Sequence, residues 1–247
     1  MGSGDAFGSG GRFQTCIYVR SDGSEPDEKD ATRLLVDCGA SSLIAMKRFG
    51  VKTTDIDTIL LSHLHGDHFG GLPFFVLESH YGSGREKPLV VAGPPGLEAR
   101  TCEAMEVLYP GSSKATRPFA LEFVELEKES AARIGPLDVT PYPVVHPSGA
   151  LAYALRISLG EKILAFSGDT EWTDALIRAA NGADLFICEC NYWEQEGGNH
   201  LDYRTLMGHR EELGCRRLVL THMGEAMLRR IERLDVEGAE DGKSYVL

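Results

Sequence analysis

Three histidines and one aspartate fall within His63-Leu64-His65-Gly66-Asp67-His68, a density of ligating side chains that asks for a metal ion. His63 and His65, two residues apart, reach one ion from a common side. Asp67 and His68 follow Gly66, where the chain can bend and aim them at a second, neighbouring ion. Imidazole nitrogens and carboxylate oxygens suit zinc, and also manganese or iron. A solvated loop that is merely rich in histidine is the plain alternative, and the spacing speaks against it, because it is that of a metal pattern. The apolar run Ile59-Leu60-Leu61 precedes the window and reads as a buried strand, so the ligands belong to the loop leaving its end.

The stretch His63-Leu64-His65-Gly66-Asp67-His68 resembles the His-x-His-x-Asp-His signature of the metallo-β-lactamase superfamily. The resemblance covers nearly the whole chain and implies an α/β fold, a four-layer αββα metallo-β-lactamase-like sandwich, here as a single domain over residues 1–247. It leaves the substrate open, since function follows from the site rather than the fold.

The remaining ligands expected from that pattern each sit just beyond an apolar run. Asp138 to Val145 alternates like a strand and delivers His146, which joins His63 and His65 around the first ion. Lys162 to Phe166 leads to Gly168-Asp169-Thr170, where Asp169 is placed to bridge two cations, each oxygen holding one. Its other reading is a helix cap for a helix opening at Glu171, with Thr170 available for the same task. Arg217 to Leu220 ends in Thr221-His222, and His222 completes the second set with Asp67 and His68. The expectation is therefore two divalent cations, zinc first, sharing a bridging hydroxide that serves as nucleophile while Asp67 holds its proton.

The order Gly168-Asp169-Thr170, Cys188-Glu189-Cys190, Asn199-His200 and Leu220-Thr221-His222 resembles the ribonuclease Z-like and phosphodiesterase branch. That likeness gives His200 the role of protonating the departing oxygen and Glu189 the role of orienting it. A strand-end cap and a residue leading into a helix are the structural alternatives for this pair. Asp37 stands where the superfamily uses an aspartate to orient a metal ligand, and a plain turn or cap is its other reading.

Departures narrow the substrate. Between His146 and Asp169 there is no room for the protruding arm with which ribonuclease Z engages transfer RNA, and Cys188-Glu189-Cys190-Asn191 replaces that family's His-Glu-Ala-Thr. The formal charge of -12 also works against a large nucleic acid, which is bound mainly through Lys and Arg. A small anionic phosphodiester, such as a nucleotide or a phospholipid head group, fits better, because bound cations dominate the local field. The competing readings are an acyl hydrolase of lactonase or thioesterase type and a metal-binding accessory protein without turnover. A di-iron redox role is disfavoured because such relatives place a glutamate where His65 stands, and a β-lactamase because the commonest zinc class has a cysteine at the position of Asp169.

Further strands and helices must carry these loops. Thr15–Arg20 and Arg33–Val36 read as a hairpin joined by the polar connection Ser21–Asp30; Pro88–Ala92, Pro118–Leu126, Leu151–Ile157 and Ala183–Cys188 read as strands. Ser41–Arg48, Gly96–Leu108 and Tyr203–Leu213 read as helices, and Leu72–Glu78 as a buried helix or a homodimer contact. The glycine-rich residues 1–12 are either an anion-approaching loop or a flexible leading segment. At 247 residues, 43% hydrophobic and 25% charged, the chain has an ordinary soluble composition. Without a membrane-length apolar run or a secretion signal, the expected location is the cytoplasm. The six cysteines show no zinc-ribbon spacing and read as free packing residues, Cys188 and Cys190 on the opposite side of their strand from Glu189. His80 and His209 match nothing in the pattern and read as surface or packing residues.

Overall fold

The computed structural model describes residues 1–21, 31–194 and 198–247. Most of the polar connection expected between the first two strands, residues 22–30, lies outside them. β1 (Ile17–Arg20) and β2 (Arg33–Val36) pair antiparallel. The chain then passes through α1 (Ser42–Arg48) to β3 (Thr58–Leu60), and through the short α2 (Gly66–Phe69) and α3 (Leu72–Leu77) to β4 (Leu89–Gly93). α4 (Leu97–Leu108) leads to β5 (Leu121–Glu125), closing a five-stranded sheet of order β1-β2-β3-β4-β5 in which β2 to β5 run parallel.

The second sheet follows in β6 (Ala132–Ile134), β7 (Leu137–Pro143), β8 (Tyr153–Leu159) and β9 (Lys162–Phe166), then α5 (Ala175–Ala180) and β10 (Leu185–Glu189). α6 (Tyr203–Gly208), β11 (Leu218–Thr221), α7 (Glu225–Leu228) and β12 (Glu237–Gly238) complete it, in the order β12-β11-β10-β9-β8-β7-β6. β6 to β9 are antiparallel, whereas β9 to β12 are parallel.

The layers follow from the two-residue period of the strands. In β2, Leu34 and Val36 enter a buried cluster with Leu60, Tyr153, Leu155, Phe166, Ile187 and Val219, which fills the space between the sheets. Leu35 faces the other way, into a cluster with Met46 of α1, Phe75 of α3 and Met105 of α4. In β10, Leu185 and Ile187 face inward, while Phe186 and Cys188 meet Leu176 of α5 and Leu206 of α6. Helix, sheet, sheet and helix therefore stack in that order, the expected four-layer sandwich. Each fully buried Leu, Ile or Phe side chain contributes about 1.5–3 kcal/mol relative to exposure. All six cysteines are free; Cys188 and Cys190 pack in the outer cluster, as expected of residues flanking an inward Glu189.

Several boundaries differ from the sequence reading. The helix expected from Glu171 begins at Ala175, because Glu171 is engaged elsewhere: its N–H donates to Val145 O and its carboxylate accepts the Asn199 N–H. α6 ends at Gly208 rather than Leu213, where the His209 ring leaves the helix to stack on Trp172 at 4.0 Å. The glycine-rich residues 1–12 are tied down by hydrogen bonds: Asp5 is buried and accepts the Ser9 N–H and hydroxyl, and Gly2 pairs with Cys16. No helix among the described residues is long and apolar enough to cross a membrane.

Candidate metal centre

Each ligand-bearing loop leaves the same edge of the sandwich. β3 ends at Leu60, and Leu61 to His65 run directly into α2, which presents Asp67 and His68 from one short turn. The backbone of Gly39, two residues past Asp37, passes beneath this turn. A Cβ at Gly39 would lie 2.1 Å from the Asp67 carbonyl oxygen, so only glycine fits there. His146 follows the end of β7 and Asp169 follows β9, Glu189 is the last residue of β10, and His222 is the first residue after β11.

The side chains converge into two groups. His63, His65 and His146 form the first; Asp67, His68, Asp169 and His222 form the second, the donor atoms of each group lying within 4.8 Å of one another. In the first, His146 Nε2 faces His65 Nδ1 at 3.0 Å. In the second, Asp67 Oδ2 lies 3.1 Å from both His68 Nε2 and His222 Nε2. Asp169 spans the two: Oδ1 is 3.2 Å from His68 Nε2, and Oδ2 is 3.4 Å from His222 Nε2 and 3.9 Å from both His63 Nε2 and His146 Nε2. Asp169 is thus not a helix cap. Thr170, the other candidate cap, directs its N–H to Glu189 Oε1 and its hydroxyl to Glu171 O.

The donor set fits a pair of cations. His63 Nε2 and Asp169 Oδ1 are buried without a hydrogen-bond partner, and leaving such an atom unsatisfied costs about 1–3 kcal/mol. Four further imidazole nitrogens and a second carboxylate crowd the same space, an N/O set suited to zinc, manganese or iron. No cysteine joins either group among the described residues.

His200 and Glu189 stand beside this cluster. His200 Nδ1 is 3.0 Å from Glu189 Oε1 and 3.8 Å from Asp169 Oδ2, and its side chain is 20% exposed, against 1% for Glu189. Burial alone would push the His200 imidazole down, but the hydrogen bond and charge of Glu189, with Asp169, carry its pKa above the ordinary value. Burial raises the Glu189 carboxyl, and the bond to His200 pulls against that rise. In Asp169 the opposition resolves the other way: burial raises its pKa, yet His222 and His68 hold it well below the carboxylate range. For His63, burial dominates and lowers the pKa well below the usual value, so the ring is neutral and able to ligate.

Neighbours to which the sequence assigned no role hold the His146 ring and the His222 backbone. Asn199 O accepts from His146 Nδ1 at 2.8 Å, Asn191 Nδ2 donates to His222 O at 3.1 Å, and Ser3 O accepts the His222 N–H at 3.1 Å. Backbone carbonyls leave no signal in residue type. Of the four non-glycine residues with left-handed backbone among those described, three are here: Asp37, Asn199 and His222. Such strain concentrates at functional sites. His80 and His209 lie outside the cluster, stacked on Tyr81 and Trp172. A surface groove of about 820 Å³, bordered by Leu43, Phe74, Tyr81 and Tyr109, also shares no residue with it.

Residues 1–239 match the family model of the anti-Pycsar protein Apyc1. The chain belongs to the Apyc1 family. Ribonuclease Z of Lachnoclostridium phytofermentans is 26% identical over 271 aligned residues, covering 89% of this chain and 84% of the relative. Among solved structures, the metallo-β-lactamase fold protein YhfI from Bacillus subtilis superposes with a TM-score of 0.72 at 24% identity, covering 98% of this chain and 95% of its own. A diphosphatase from the PhnP family gives a TM-score of 0.73 at 18% identity, covering 98% and 93%. This member of the Apyc1 family therefore has the metallo-β-lactamase fold, with a His/Asp metal site of dinuclear type that marks it as a metal-dependent hydrolase.

Proposed function

We propose that this Apyc1-family chain is a dinuclear phosphodiesterase acting on a small, anionic phosphodiester. The observation that carries the reading is the pair formed by partly exposed His200 and buried Glu189, 3.0 Å apart at the edge of the metal cluster. A thiolate, as in a thioester, departs without such an acid, whereas an alkoxide leaving phosphorus gains from one.

His63, His65 and His146 would hold one cation and Asp67, His68 and His222 the other, with Asp169 shared between them. When bound, two such cations supply a water of lowered pKa and polarise the phosphoryl oxygens. Asp67 turns Oδ2 toward the space it shares with His68 Nε2 and His222 Nε2, leaving Oδ1 to accept the proton of the attacking water. His200, its Nδ1–H held by Glu189, presents Nε2–H to the departing oxygen as the P–O bond breaks. The net charge of -12 supports a small substrate over a polynucleotide, since attraction for an anion then resides in the cations rather than in a basic surface.

The test is a panel of bis(p-nitrophenyl) phosphate, cyclic nucleotides, p-nitrophenyl acetate and a transfer-RNA precursor, run on wild type and His200→Ala. Turnover of the cyclic nucleotides, whose leaving group is an alkoxide, is expected to fall about 10²–10⁴-fold in the variant with metal content intact, and that of bis(p-nitrophenyl) phosphate, with its activated phenolate, much less. Ester cleavage without phosphodiester cleavage would overturn the reading.

A further inference from the structure

We propose that Ser62 is a positioning residue through which one carboxylate, that of Asp37, orients a histidine of each ligand set. The inference rests on the two-cation reading above and adds to it how the two sets are linked.

The geometry leaves little freedom in where the protons lie. Asp37 is fully buried. Its Oδ1 accepts the Ser62 N–H at 2.7 Å, and its Oδ2 accepts both the Ser62 hydroxyl at 2.8 Å and His68 Nδ1–H at 2.6 Å. Ser62 Oγ also contacts His63 Nδ1 at 3.1 Å. A hydroxyl has one proton to give. Directed at His63, it would leave Ser62 Oγ and Asp37 Oδ2 as two acceptors facing each other in a buried space, at the penalty of an unmade hydrogen bond. Directed at Asp37, it satisfies the carboxylate, and Oγ then accepts a proton from the His63 ring. Nδ1 of His63 therefore carries hydrogen, and Nε2, buried and without a hydrogen-bond partner, turns its lone pair toward the first set. His68 is fixed in the same tautomer by its own bond to Asp37, with Nε2 aimed into the second set.

The relay is held rigidly. Ser62 O accepts the Tyr153 N–H at 3.0 Å, tying the serine to the second sheet. Gly168, just before Asp169, comes so close that a Cβ there would lie 3.1 Å from the Ser62 Cβ. Asp37 itself sits at φ 60°, a left-handed conformation that aspartate tolerates better than most residues. Asp37 thus acts on His68 directly and on His63 only through Ser62, which makes the two sets separable by mutation.

The experiment uses the full chain and zinc alone. In ¹⁵N-resolved imidazole spectra of the zinc-loaded wild type, both His63 and His68 are expected to carry hydrogen at Nδ1. In Ser62→Ala, zinc affinity at the first site is expected to fall about 10–100-fold, the range for loss of a partner behind a metal ligand, with the second site unchanged. Asp37→Asn is expected to weaken both sites. Hydrogen on Nε2 of His63, or a Ser62→Ala chain that binds both ions as the wild type does or loses both equally, would overturn the proposal. The spectra decide it even if the alanine variant fails to fold. A wild-type chain that binds no zinc at these residues would instead overturn the two-cation reading itself.

Discussion

The two ligand sets differ in chemistry and in depth. The first is built of three imidazoles, of which His63 and His146 have buried rings and His65 is partly exposed, while the second combines two imidazoles with two carboxylates, all four buried. Its carboxylates, Asp67 and Asp169, are both held well below the ordinary carboxylate range by neighbouring histidines that outweigh their burial. Two carboxylates neutralise a cation in the second set, and the exclusion of water there strengthens that attraction. The contrast predicts that the second set would hold its cation more firmly than the first.

Removing the residue that joins the sets tests this most severely. Asp169→Ala is expected to lose at least one cation per chain and to drive turnover toward the uncatalysed rate; an unchanged metal-to-protein ratio would exclude Asp169 from the bridge. Next in size is Gly39→Ala, which pushes a methyl against the Asp67 carbonyl. It is expected to destabilise the fold by about 1–3 kcal/mol, as overpacking does, and to deplete the second cation selectively. Equal depletion of both, measured by elemental analysis, would blur the contrast. Smaller again is the effect of mild chelation. One cation is expected to leave well before the other, and the remaining one to keep most of the thermal stabilisation that binding gives. Concerted release would mean that the two positions are equivalent.

How much of this was legible beforehand depends on the kind of information each feature uses. The sandwich was legible through the family resemblance of the stretch from His63 to His68, and the candidate ligands it implied, from His63 to His222, do stand at strand exits and come together in the fold. The alternation that puts Leu34 inward and Leu35 outward was equally open to inspection. The early end of α6 was not, because it is decided by His209 stacking on Trp172, a contact distant in sequence. Nor were the short edge strands β6 and β12, whose pairing depends on neighbours rather than on their own composition. Within the site, Asp37 was visible as an orienting candidate, whereas Ser62 was hidden in plain view beside His63: a serine at a strand exit has no distinguishing type. The supports from Ser3 and Asn199 act through backbone carbonyls and were invisible in principle.

The most direct measurement is an anomalous-scattering map of zinc-loaded crystals. Two peaks about 3.5–4 Å apart are expected, one bonded to His63, His65 and His146 and the other to Asp67, His68 and His222, with Asp169 reaching both. A single peak, or zinc bonded to other side chains while His146 or His222 stands free, would contradict the account.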